Sequence, residues 1–131
     1  MKVSELPEAV RQLQVAAAES SFVVFIFDQS GRKSNADVAV NLQYSIENGR
    51  VGLDWVLLSA ANVADKDDIV EFAAERHHQF SEREQNGVHY LRVEDEGIAS
   101  LGLQIVTEFY RRSIDSDLDV VADGFRLNLA S

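Results

Sequence analysis

Apolar and polar positions alternate most cleanly between residues 38 and 57. Val38, Val40, Leu42, Tyr44 and Ile46 alternate with Ala39, Asn41, Gln43 and Ser45. Asn48-Gly49 follows, the dipeptide suited to a type I′ turn, and Val51, Leu53, Trp55 and Leu57 alternate beyond it. A two-residue turn sets Ile46 opposite Val51, Tyr44 opposite Leu53, Leu42 opposite Trp55 and Val40 opposite Leu57. All the large apolar side chains then share one face, and a slip of one residue destroys the match. The other face carries Gln43 opposite Asp54 and Ser45 opposite Gly52, which predicts a wet surface near the turn.

The remaining elements follow from the same periodicities. Leu6, Val10, Leu13 and Ala17 predict a helix over residues 5–19, with Ser4 as N-cap and Pro7 in the first turn. Residues 22–27, Phe-Val-Val-Phe-Ile-Phe, are apolar on both faces and predict a buried central strand. Ile69, Phe72 and Ala73 predict a helix over 66–78, acidic at its start and basic at its end. Residues 88–93 predict a strand, and 80–83 can pair with it across Asn86-Gly87. Ile98, Leu101, Ile105 and Phe109 predict a helix over 98–112, in which Glu108 pairs with Arg112 one turn on. Asp123-Gly124 predicts a terminal hairpin over 117–129, with Ala122 facing Phe125, Val120 facing Leu127 and Leu118 facing Leu129.

The expected fold class is therefore α+β, an antiparallel sheet of about 5–6 strands with three helices, in the order α-β-β-β-α-(β)β-α-β-β. Tight hairpins exclude parallel βαβ repeats. The chain's 131 residues suit a single domain, 1–131. Over residues 4–112 the order α-β-β-β-α-β-β-α is similar to the type III secretion chaperone-like fold of small acidic bacterial domains. The hairpin at 117–129 departs from it.

Composition narrows the function classes. Cysteine is absent, which removes disulfides, thiolate catalysis and Cys-based zinc sites. The longest apolar run, residues 22–27, is too short to span a bilayer, and residues 1–5 show no signal-peptide pattern. A cytoplasmic, soluble protein is expected. The net charge of −10 disfavours nucleic acid and anionic membranes and suits a basic protein partner.

Motifs for chemistry are nearly missing, and no cofactor or metal is expected. His77 and His78 are helix neighbours that point about 100° apart and cannot chelate together. Asp115, Asp117 and Asp119 have the spacing that opens a calcium loop, but Val120 and Arg126 stand where glycine and glutamate belong. Gly97 and Gly102 lack the lysine of a phosphate loop, so close helix packing is the expected role of Gly102. Ser30 lacks the leading glycine of a nucleophile elbow. Three residues stand out as binding candidates: Asp54, an acid inside a strong strand, and Arg32 and Lys33, basic residues in a polar loop.

The leading expectation is a non-catalytic protein-binding module, an adaptor, chaperone-like or immunity-type acidic protein. The rival is a small enzyme or small-ligand-binding domain with its site between helices and sheet, on the side carrying Val56 and Leu58. A third is a homo-oligomer closed through the C-terminal hairpin by Phe125, Leu127 and Leu129.

Overall fold

The computed structural model describes residues 1–28 and 39–129. A 3-10 turn, Val3–Glu5, leads into α1 (Leu6–Ala16) and β1 (Phe22–Phe27). There follow β2 (Val40–Glu47), β3 (Arg50–Val56), α2 (Ala60–Ala64), α3 (Lys66–Glu75), β4 (Ser81–Gln85) and β5 (Val88–Val93). The chain closes with α4 (Ile98–Gln104), a π-helical turn (Ile105–Phe109) and β6 (Asp119–Asp123). The six strands form one antiparallel sheet in the order β4-β5-β3-β2-β1-β6. The α+β architecture read from the sequence is thus the one observed. Among the described residues no helix is long and apolar enough to cross a membrane.

The β2–β3 hairpin has the predicted register, with Tyr44 opposite Leu53 and Ile46 opposite Val51. Its apolar face builds the core. Leu42, Tyr44, Leu53 and Trp55 are fully buried there, together with Val23 and Phe25 of β1. Helices α1 and α4 and the π turn cover this face with Leu6, Leu13, Leu101 and Ile105. The Tyr44 hydroxyl donates to the Ile98 carbonyl at 2.6 Å, and a Cβ on Gly102 would collide with the Tyr44 ring. Gly102 therefore serves the close helix–sheet approach expected of it.

Several elements depart from the sequence reading. The first helix stops at Ala16 because Ala17 turns left-handed (φ 50°), its N–H closing on the Leu13 carbonyl. Ser4 caps nothing; Glu5 accepts the Lys2 N–H, and the Ser4 N–H goes to the Ile114 carbonyl. The third predicted helix is α-helical only to Gln104 and then widens to a π turn, with the Tyr110 N–H reaching Ile105 O. That widening takes Glu108 away from Arg112. Glu108 meets Arg76 instead, and Arg112 meets Asp28. Strand β1 is interior, but its second face, Phe22, Val24 and Ile26, is only half-buried.

The terminal hairpin does not form. Strand β6 pairs with β1, Val24 opposite Val121, and so covers an edge that would otherwise stand unpaired. At the expected turn Gly124 takes a positive φ (82°) but Asp123 does not, and a type I′ turn needs both. Residues 125–129 lie along α1, where Gln12 and Asn128 exchange two hydrogen bonds of 2.7 and 2.8 Å. Phe125 and Leu127 pack half-buried against the chain's own core, so the edge on which the oligomer expectation rested is absent.

Candidate functional site

Strand alternation sends every second side chain of the sheet away from the helices. On that uncovered face Asp54 stands opposite Gln43 and opposite Arg92. The predicted wet surface is dry here: Asp54 is 1% exposed and the Arg92 side chain 0%. The cause is Gly52, next on this face of β3. Lacking a side chain, it leaves a furrow in which the Arg92 guanidinium lies, and an alanine Cβ there would stand 2.6 Å from Nε and 2.7 Å from Nη2.

Within the furrow all five guanidinium N–H donors find acceptors. Nε donates to Glu94 (2.7 Å), Nη1 to Asp54 and to Ser45 Oγ (both 2.8 Å), and Nη2 to the Ser45 and Arg50 carbonyls (3.2 and 3.0 Å). Asp54 also accepts from Gln43 Nε2 at 3.0 Å and from the Ser45 hydroxyl. Burial pushes the Asp54 carboxyl above the usual carboxylate range, against the pull of Arg92, Ser45 and Gln43. Burial also works against the Arg92 cation, but Asp54 and Glu94 outweigh it and hold Arg92 firmly protonated. The Arg92 hydrogen bond in turn holds Glu94 below its ordinary value.

A second set of contacts bends the β4–β5 hairpin over this face. Glu47 belongs to β2, which β3 separates from β5. Tyr90 of β5 nevertheless donates its hydroxyl to Glu47 at 2.9 Å, and Arg83 of β4 reaches the same carboxylate at 3.2 Å. Burial, with the Glu47 charge beside it, pushes the Tyr90 phenol up and keeps it a proton donor.

Between this arched hairpin and the strands lies a trough of about 620 Å³. Gln43, Ser45 and Asp54 lie along it, with Phe22, Val56, Val88 and Tyr90 as apolar and aromatic lining. Four carboxylates border it, Glu19, Glu47, Asp54 and Glu84, and among the described residues no lysine, arginine or histidine does. Glu19 is tied down at the mouth, accepting the Asn48 and Gly49 N–H groups and so capping the β2–β3 turn.

Of the three candidates chosen from the sequence, Asp54 sits on this trough. Arg32 and Lys33 lie outside the described residues. Under the helices, where the rival reading expected a site, Leu42, Tyr44 and Trp55 fill the space, a smaller hollow of about 320 Å³ lies where α1 and α4 meet β3, and Val56 borders the trough on the opposite face. Sequence reasoning missed Arg92, Glu47, Tyr90 and Arg83. The available signal was Arg92 itself, a cation flanked by Leu91 and Val93 inside a strand, with Gly52 unexplained in another.

The histidines do not join the site. His78 Nδ1 meets Asp95 at 2.6 Å, and His89 is exposed beside Glu84. Among the described residues no group of three or more His, Asp or Glu side chains could hold a metal ion. Compared with known proteins, the chain matches no family model, no curated protein and no solved structure.

Proposed function

We propose that this chain is a non-catalytic protein-binding module, adaptor, chaperone-like or immunity-type, whose trough-bearing sheet face takes a basic partner protein. The observation that carries the reading is the trough itself. It is open, part apolar, bordered by carboxylates and, among the described residues, by no cation, in a protein of net charge −10. Apolar area supplies affinity, while the acidic rim speeds encounter with a positive surface and selects for it.

Asp54 supports the non-catalytic side. A general base needs a lone pair free to meet a substrate proton. The Asp54 carboxylate is 1% exposed and accepts from Gln43, Ser45 and Arg92, which makes it a support of the floor and not a base open to substrate. The rival small-ligand reading finds Leu42, Tyr44 and Trp55 filling the space under the helices, and its ground is the smaller hollow of about 320 Å³ lined by Val10, Val51 and Ile98, where α1 and α4 meet β3. The absence of cysteine fits the reducing cytoplasm in which we place the module.

The test is capture of a partner from native lysate at low salt, followed by hydrogen exchange on the complex remade from purified components. A stoichiometric basic partner that protects the amides of Gln43, Asp54 and Tyr90 supports the reading. Protection confined to the helical face, or no stoichiometric partner, refutes it.

A further inference from the structure

We infer that the free edge of β6 accepts an extended basic segment of a partner protein as an added strand, an attachment that goes beyond the trough and does not depend on it. Strand β6 ends the sheet, with β1 on its inner side. Backbone N–H and C=O groups of a strand point alternately to its two sides, so half of those in Asp119–Asp123 face outward. Among the described residues none of that outward half is hydrogen-bonded. The stretch just before it is already closed, since the Leu118 N–H donates to the Met1 carbonyl and the Val3 N–H to the Ser116 carbonyl.

The two edges of the sheet differ in what they offer. Strand β4 reads Ser-Glu-Arg-Glu-Gln and carries no apolar side chain, with Arg83 drawn to Glu47 and Glu82 to Lys66. Strand β6 reads Asp-Val-Val-Ala-Asp, without the lysine or proline that commonly blunts an edge. Its register sets Asp119, Val121 and Asp123 on one face, opposite Ile26, Val24 and Phe22. Val121 is 49% exposed, and with half-buried Val24 beside it the apolar surface of β1 continues out to the edge.

The two aspartates choose the occupant. Among the described residues neither side chain makes an ion pair or a hydrogen bond. A second copy paired antiparallel about Val121 would set Asp119 against the copy's Asp123 twice, and like charges directly opposite are destabilising. A segment of the pattern basic-x-apolar-x-basic sets a cation against each aspartate and its apolar residue against Val121. Main-chain pairing then supplies affinity and the alternate side chains supply specificity. The net charge of −10 draws such a segment in.

The probe is the capped heptapeptide Thr-Lys-Thr-Val-Thr-Lys-Thr, followed by amide NMR and hydrogen exchange on the labelled full chain at low salt. Shifts and added protection are expected at alternate amides within residues 119–123. Glutamate in place of both lysines is expected to abolish binding. Asp119→Asn and Asp123→Asn, at exposed positions that keep the fold, are each expected to weaken it roughly two- to five-fold. Backbone N-methylation separates strand pairing from charge alone. Methyl groups on the valine and lysine nitrogens, or on those of the inner threonines, leave the charge unchanged, and only one set faces β6. One methylated peptide is expected to lose binding and the other to bind as the parent does.

The inference is overturned if both methylated peptides bind like the parent, if the glutamate peptide binds as well, if the shifts fall on β4 or the trough, or if no peptide binds. Protection of residues 119–123 in a dimer of the protein alone assigns the edge to a second copy and overturns it too. A captured partner that protects Gln43, Asp54 and Tyr90 while residues 119–123 exchange freely keeps the module reading and removes this one. Peptide pairing at β6 beside a trough that no partner protects does the reverse.

Discussion

Replacing Gly52 by alanine places a methyl group under the Arg92 guanidinium, 2.6 Å from Nε and 2.7 Å from Nη2 and nearer still to Cζ. Carbon contacts need about 3.5 Å, so the guanidinium must rise by roughly 1 Å. The Nη2 bonds to Ser45 O and Arg50 O, already 3.2 and 3.0 Å long, then fall outside hydrogen-bonding range. The 2.8 Å bond to Asp54 weakens too. Hydrogen bonds from a charged group contribute about 1.5–3 kcal/mol each, and partial rehydration of the lifted guanidinium recovers some of that, for a loss of about 3–4 kcal/mol. Gly52 does not adopt a left-handed φ, so alanine suits the backbone and restrains the unfolded chain by roughly 0.5–1 kcal/mol. The net expectation is a destabilisation of about 2–3 kcal/mol. In urea, with a slope of about 2 kcal/mol/M, the midpoint falls by roughly 1–1.5 M. Repeating the substitution on an Arg92→Ala background isolates the cause. There the methyl group meets no guanidinium, and Gly52→Ala is expected to stabilise by roughly 0.5–1 kcal/mol. Wild-type stability for the single variant, or an equal loss on both backgrounds, would show that the furrow does not hold Arg92 in place.

Gly102→Ala is expected to destabilise by about 3 kcal/mol or more, since its Cβ would stand 2.9 Å from Tyr44 Cζ and closer to the hydroxyl; Tyr44→Phe on that background should recover part of the loss in thermal unfolding. Asn62 is fully buried and bonds the Asn41 N–H, the Asn41 carbonyl and the Val56 carbonyl, joining α2 to two strands, so Asn62→Ala is expected to cost about 2–4 kcal/mol in urea melts. Glu94 is held below its ordinary value of 4.5, chiefly by its bond to Arg92. A carboxylate with a lowered folded-state pKa stabilises the fold above its unfolded value and loses that contribution as pH falls through the folded one. Wild type should therefore exceed Glu94→Gln in stability at pH 7, and the gap should close below about pH 4.5. A gap that stays constant to pH 3 would refute the Arg92–Glu94 linkage.

What the sequence by itself determined was whatever depends on neighbours along the chain. Asn48-Gly49 and its flanking alternation specified the β2–β3 hairpin and its apolar face, because turn type and a two-residue period set register within a few residues. Asn86-Gly87 placed the β4–β5 turn, although β4 itself carries no apolar face, and the spacing of Leu6, Val10 and Leu13 marked the buried stripe of α1. Local signals also misled. Asp123-Gly124 looked like the other turns, but Asp123 does not take the positive φ of a type I′ turn, and residues 125–129 leave the sheet for α1 while 119–123 pair with β1. The run Ile105-Val106-Thr107 is β-branched and favours the α-helix less than its neighbours, but nothing local to it specifies a π turn.

Only the tertiary structure decided the site. Asp54 and Arg92 stand 38 residues apart, Tyr90 and Glu47 43 apart. Asp54 reads as a solvated strand residue until the guanidinium covers it. Whether a charge is buried depends on what lies over it, and here that depends on a missing side chain at Gly52 and on a hairpin drawn across β3 by Glu47. Strand periodicity says which face a side chain takes. The curvature that turns such a face into a trough comes from contacts between strands that are not neighbours, and those exist only once the sheet has closed.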